Sequence, residues 1–136
     1  MRRAGLAVAV AALSLAGCNT KDGPKEVVLT IEHSRFVPDV VHARPGERIR
    51  IVVRNTDPID HELIVGDQGV QDRHEKGTES HHAARDGEVS VAAGSEAVTF
   101  YVVPEGAAPL LFGCHLPGHW DYGMRGTIRL IRSSSF

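Results

Sequence analysis

Cysteine is scarce in this chain: among 136 residues there are two, Cys18 and Cys114. Two cannot build the cross-linked framework that holds small secreted domains together, so the fold has to rest on a hydrophobic core. An excess of positive charge is also missing, with Lys+Arg 15 against Asp+Glu 17 and a formal net charge of −2. That balance leaves no basic face for phosphate backbones and excludes nucleic acid as the expected partner. No apolar run is long enough to cross a bilayer as a helix. Internal repeats and long helical periodicity are absent. Ser34, Ser80, Ser90 and Ser95 lie outside any nucleophile elbow, so a hydrolase finds no support. A dyad of Cys114 with His115 or His119 has no motif around it either, and no enzymatic activity is expected. What the chain does have is enough length for one domain and eight histidines, which directs attention to metal chemistry.

The first residues read as targeting rather than fold. Met1-Arg2-Arg3 and the short apolar stretch Ala4 to Gly17 have the form of an export signal. The stretch ends in Leu15-Ala16-Gly17-Cys18, which resembles the lipobox of bacterial lipoproteins, where cleavage falls before the cysteine and the cysteine takes up the lipid. Residues 1–17 are thus expected to be a lipoprotein signal peptide and Cys18 the lipidation site, with residues 18–25 a tether and residues 26–136 the folded domain. An ordinary signal cut near Ala16 or Gly17 is the alternative. Removing residues 1–17, which carry Arg2 and Arg3 and no acids, takes the charge balance to −4. Asn19 after the cysteine leaves both the inner and the outer membrane open. The expected location is outside the cytoplasm, on a membrane surface.

From Glu26 onward apolar residues recur at period two. Val27, Leu29 and Ile31 alternate, as do Ile49, Ile51 and Val53, and then Val98, Phe100 and Val102. Shorter strands are expected at Val37 to His42, Glu62 to Val65, Glu88 to Val91, Leu110 to Cys114 and Thr127 to Ile131. Pro45-Gly46, Asn55 to Pro58, Ala93-Gly94 and Pro104 to Pro109 punctuate them. About eight short strands without crossover helices predict an all-β, antiparallel β-sandwich. Asp67 to Gly87 is polar and lacks strand periodicity, and is expected to be a surface loop or short helix.

The chemistry gathers near the C-terminal end. Cys114, His119 and Met124 stand five residues apart, between a strand ending at Cys114 and another beginning near Gly126. One loop therefore carries a thiol, an imidazole and a thioether, a donor set suited to copper: sulfur favours Cu(I) and imidazole satisfies Cu(II). A second imidazole is needed for a trigonal plane. His61, at the turn before an apolar strand, is the best candidate, with His42 and His33 as substitutes. For Met124 the alternative is a gap-filling core methionine. His74, His81 and His82 with Glu75 and Glu79 read as solvated residues of the polar segment, since no rigid spacing links them.

These residues give the chain a family resemblance. It resembles the cupredoxins, small type 1 (blue) copper proteins of the plastocyanin and azurin kind, over about Glu26 to Ile131, including Phe36-Val37-Pro38 and Arg44-Pro45-Gly46-Glu47. The resemblance implies a Greek-key sandwich with one copper at one end, held by His61, Cys114, His119 and an axial Met124. It also implies single-electron transfer with a redox protein partner, such as a cytochrome, reductase or oxidase, by transient contact. Docking is then expected beside His119, at Leu116, Pro117 and Trp120, with a core aromatic as the alternative for Trp120. Glu62 stands where plastocyanin and azurin often carry an asparagine that ties the ligand loops together, which leaves the clamp open. His115 resembles the Cys-His pair of multicopper oxidases, but Gly113 replaces their preceding histidine and no His-x-His pair exists. A copper chaperone or buffer is the competing function. Met124 is the one methionine left after the signal, which favours the electron carrier over methionine-rich copper capture.

Overall fold

The computed structural model describes residues 23–77, 85–106 and 109–131. Among these residues the chain runs β1 (Lys25–Glu32), β2 (Arg35–Val37), β3 (Val40–Ala43), β4 (Arg48–Asn55), β5 (His61–Gly66), α1 (Gln68–Glu75), β6 (Glu88–Val91), β7 (Glu96–Val102), β8 (Leu110–Gly113) and β9 (Arg125–Leu130). One sheet has the order β2-β1-β4-β7 and the other β3-β9-β8-β5-β6. The fold is the expected all-β sandwich.

Period-two alternation marks the buried face correctly in β1 and β4 but not in β7, where Val98 and Val102 are exposed, Thr99 is buried and Ala97 and Tyr101 pack against the core in place of the expected Val98, Phe100 and Val102. Val27, Leu29 and Ile31 of β1 and Ile49, Ile51 and Val53 of β4 point inward from the first sheet. Leu63, Val65, Val91, Leu110, Phe112 and Ile128 meet them from the second. Phe112 anchors this contact, its ring lying edge-on to Phe36 with centroids 5.4 Å apart.

Two further details differ from the sequence expectation. The segment expected as one strand from Val37 to His42 is divided into β2 and β3, which belong to different sheets. Pro38 between them has no N–H to give a ladder, so one continuous paired strand is not available. Secondly, the pairings are not all antiparallel, because β1 pairs with β4 in parallel and β3 with β9 in parallel. In both cases the chain visits the opposite sheet before returning to its partner, which no hairpin can do.

The polar segment after β5 contains α1. Asp67 caps it, its carboxylate accepting from the Val70 N–H at 2.9 Å. Val70 sits so close over Gly66 that a Cβ there would lie 2.6 Å from the Val70 Cβ, so the strand-to-helix junction requires glycine. The helix covers the outer face of β5, where Ile64 is buried, and Gln71 donates from beneath it to the Ile64 and Leu111 carbonyls. His74, expected to be solvated, is instead buried on α1, its ring between the Val70 carbonyl at 3.0 Å and the Glu88 carboxylate at 3.6 Å. Residues 78–84, with Glu79, His81 and His82, lie outside the described residues, as does Cys18. Among the described residues no helix is long and apolar enough to cross a membrane.

Candidate metal centre

Two loops at one end of the sandwich carry the chemistry. The first joins β4 to β5. At its start Asn55 is buried and its side-chain amide donates to the carbonyls of Ile59 at 2.7 Å, Ala92 at 3.1 Å and Val91 at 3.3 Å. Its Oδ1 accepts from the Asp57 N–H. One side chain thus fixes the turn against the loop after β6, and the turn ends with His61 at the first position of β5, pointing inward and 1% exposed.

The second loop joins β8 to β9 and holds the evenly spaced Cys114, His119 and Met124. Successive turns fold it back on itself: His119 N–H donates to Leu116, Tyr122 to Gly118 and Gly123 to Trp120. Gly118 and Gly123 take positive φ angles of 83° and 86°, where a side chain is disfavoured. Met124 N–H then donates to the His119 carbonyl and Cys114 N–H to that of Met124, so the loop closes with its three candidate ligands side by side.

The loops meet at the sulfur. Cys114 Sγ lies 3.2 Å from His119 Nδ1, and His119 Nδ1 lies 3.3 Å from His61 Nδ1. All three donor atoms fall within 4.8 Å of one another, the one such group of histidine, cysteine and carboxylate side chains among the described residues. Cys114 and Met124 are buried, while His119 is part-exposed and brings the site to the surface. The substitutes for His61 fall elsewhere: His33 is exposed on the β1–β2 turn and His42 is exposed on β3.

Burial dominates the electrostatics. It pushes the Cys114 thiol up to about 11, against the backbone N–H groups of Glu62 and Leu116, which favour the thiolate; the Glu62 charge raises it further. Burial also holds His119 below the ordinary histidine value, and the adjacent His61 ring adds to that effect. A His119 ring biased towards its neutral form and a thiol reluctant to ionise without a cation describe a pocket that is electrostatically incomplete. A thiolate, two imidazole Nδ1 atoms and a buried thioether in the same loop fit a type 1 copper site.

The clamp that the sequence left open is Glu62. Its carboxylate accepts from the His115 N–H at 2.8 Å, across 53 residues of chain, and ties the ligand loops together. His115 itself turns away from the sulfur. Its ring lies between Glu75 Oε2 at 2.7 Å and Gln71 Oε1 at 2.8 Å, both on α1, and stacks on Trp120 with centroids 4.6 Å apart. Trp120 is half-buried, covering Gly113 and carrying the Arg125 guanidinium over its ring. Of the other residues expected in docking, Pro117 is exposed and Leu116 packs partly against the core. Tyr122 (81% exposed) and Ile59 (47%) also stand in these loops.

Asp57 is the residue that sequence reasoning missed. It is buried, and its carboxylate lies 3.0 Å from His61 Nε2, on the side of the ring away from the sulfur. Burial alone would raise this carboxyl, but the N–H groups of Ser34 and His33 and the His61 ring outweigh burial and hold it below its ordinary range. The available signal was a carboxylate four residues before the histidine within one turn.

With this geometry the comparisons with known proteins agree. The chain belongs to the cupredoxin-like domain family, which it matches over residues 5–88. It is 30% identical over 104 residues to the copper-resistant cuproprotein CopI of Rubrivivax gelatinosus, covering 74% of this chain and 62% of that protein's length. Its fold is similar to that of dithionite-reduced auracyanin from Roseiflexus castenholzii, with a TM-score of 0.65 at 15% identity over 79% of this chain and 98% of the other. Auracyanin A, a "blue" copper protein of Chloroflexus aurantiacus, gives a TM-score of 0.62 at 16% identity, covering 80% and 100%.

Proposed function

We propose that this protein holds one type 1 copper and passes single electrons between redox partners outside the cytoplasm. The observation that carries the reading is the convergence of His61 Nδ1, Cys114 Sγ and His119 Nδ1 within 4.8 Å in a buried pocket. His61, Cys114 and His119 would hold the metal, with the Met124 thioether as a further donor. When bound, copper supplies a one-electron couple, Cu(II)/Cu(I). The chain's own part is to keep its donors still and dry. The Asn55 and Glu62 tethers and the closed 114–124 loop fix the ligand positions before any metal binds, so little rearrangement accompanies a change of charge. His119 is the partly exposed ligand, and the exposed Ile59, Pro117 and Tyr122 with the part-exposed Leu116 and Trp120, all in the two ligand-bearing loops, would offer a small apolar surface for brief contact with a redox partner. Lipid attachment at Cys18 and a tether over residues 18–25 belong to the same proposal and would keep the carrier at a membrane.

A second reading, copper handling, is favoured by the 30% identity to a copper-resistant cuproprotein. The two part on what leaves the protein. Titration with Cu(II) beside a Cys114→Ser control is expected to give an intense visible thiolate-to-copper band that saturates at one copper and is missing in the control. Colourless binding that survives in the control would overturn the type 1 site. Cycling the loaded protein with dithionite and a cytochrome should then move electrons with no loss of copper. Release of copper to a competing chelator on the timescale of reduction would favour handling.

A further inference from the structure

The β1–β2 turn is built from His33 and Ser34, both with φ in the left-handed region, 52° and 53°. Two-residue hairpin turns of this hand ordinarily use Asn-Gly or Gly-Gly. Here the turn is held by Asp57, whose Oδ1 accepts from the His33 N–H and whose Oδ2 accepts from the Ser34 N–H, each at 2.7 Å. The same Oδ2 faces His61 Nε2 at 3.0 Å, in a place where Asp57 is 8% exposed and the His61 side chain fully enclosed.

Three nitrogens therefore converge on one carboxylate, and two of them are backbone donors with fixed protons. A carboxylate serving those donors is an acceptor, so the third partner, Nε2 of His61, carries its proton. That leaves Nδ1 as a bare lone pair, and Nδ1 is the atom that faces His119 and Cys114. We propose that Asp57 is a positioning residue for the metal centre: it fixes the tautomer and ring orientation of His61 and puts one formal negative charge behind a copper ligand. A carboxylate behind a ligating histidine strengthens the ligand as a donor. The added charge favours Cu(II) over Cu(I), so this site is biased towards the oxidised state relative to one where a neutral acceptor does the same work. The β1–β2 hairpin, far from the ligands in sequence, becomes part of the support of the site.

The inference about redox bias rests on the copper reading above, while the tautomer is a property of the copper-free protein. The first measurement is long-range 15N–1H NMR on copper-free protein. Nε2–H at His61 is expected, and Nδ1–H would overturn the proposal whatever the variants do. In Asp57→Asn the amide has one oxygen for three donors, so the Nδ1–H tautomer is expected to become populated. With copper bound, the preference for Cu(II) over Cu(I) is expected to fall about tenfold, a rise of about 59 mV in midpoint potential for one electron. Thr56→Ala is the structural control: Thr56 Oγ1 donates to the Ile31 carbonyl at 2.7 Å, supporting the same hairpin without touching the carboxylate. It should leave tautomer and potential unchanged. Equal shifts in Thr56→Ala, or an Asp57→Asn shift under about threefold, would overturn the proposal. Asp57→Glu, which keeps the charge, replaces Asp57→Asn if the latter does not fold. It should retain Nε2–H and a potential near the wild-type value, and a tenfold shift there would count against the charge. If the NMR is as expected and the visible band is missing, the copper reading fails and the positioning role stands.

Discussion

Loading the site must expel a proton, because the ligand form of Cys114 is the thiolate and the pocket disfavours it. Burial holds the thiol at about 11. Ionising it at pH 7 therefore costs roughly 5 kcal/mol, since each pH unit is worth about 1.4 kcal/mol. Copper association provides that energy, and the apparent affinity is expected to rise about tenfold per pH unit between about pH 7 and pH 10, levelling near 11. His119 gives up no proton in this window. Its value is lowered from the ordinary histidine one by burial and by the adjacent His61 ring, so it is already neutral there. The assay is competition for Cu(I) against a chelator of known affinity at several pH values, with proton release measured in weak buffer. Cys114→Ser should abolish the slope. An affinity flat from about pH 7 to pH 10 would mean that the thiol is already ionised and would refute the argument from burial. The copper-free fold obeys the same linkage with opposite sign: the folded state keeps the Cys114 proton longer than the unfolded chain. Stability from that source is present below the ordinary value of 9.0 and is lost as pH rises towards about 11. Asp57 acts at the other end. Its carboxyl is held below 3.8, so its contribution is present above that value and lost as pH falls through the lowered one.

Two further outcomes test how the ligand loops are held. Asn55→Ala removes the donor to Ile59, Ala92 and Val91 and the acceptor for the Asp57 N–H. It is expected to destabilise the copper-free protein by about 3 kcal/mol in urea unfolding, and a loss under about 1 kcal/mol would show that the turn holds without it. Glu62→Ala strips the acceptor from the His115 N–H and is expected to cost about 1–2 kcal/mol, with Glu62→Gln recovering most of it because the oxygen remains. Equal losses in both would point to the charge rather than the hydrogen bond as the clamp.

The sequence by itself determined the sandwich, because burial on one face of a strand imposes a period of two, as Val27, Leu29 and Ile31 of β1 and Ile49, Ile51 and Val53 of β4 show. It also determined three members of the cluster. Cys114 and His119 are five residues apart in one loop, a separation short enough for spacing alone to imply contact. His61 was legible by the turn it occupies rather than by distance. Helix α1 was half legible: its polar residues showed no periodicity because it buries only Gln71 and His74 among its own residues, a polar docking surface rather than an apolar stripe. The tertiary structure alone decided everything that depends on residues remote in sequence meeting at one atom. Asp57 is separated from His33 and Ser34 by 24 and 23 residues, and Glu62 from His115 by 53. No local pattern signals such a pair, since a carboxylate beside a turn is common and its partners are backbone N–H groups that every residue carries. The parallel pairings of β1 with β4 and β3 with β9 were hidden for a related reason: hydrophobic alternation states which face a strand buries and is silent on which neighbour it pairs with. The ligands are thus written in side-chain identity, and their support is written in backbone geometry that only the assembled sandwich brings together.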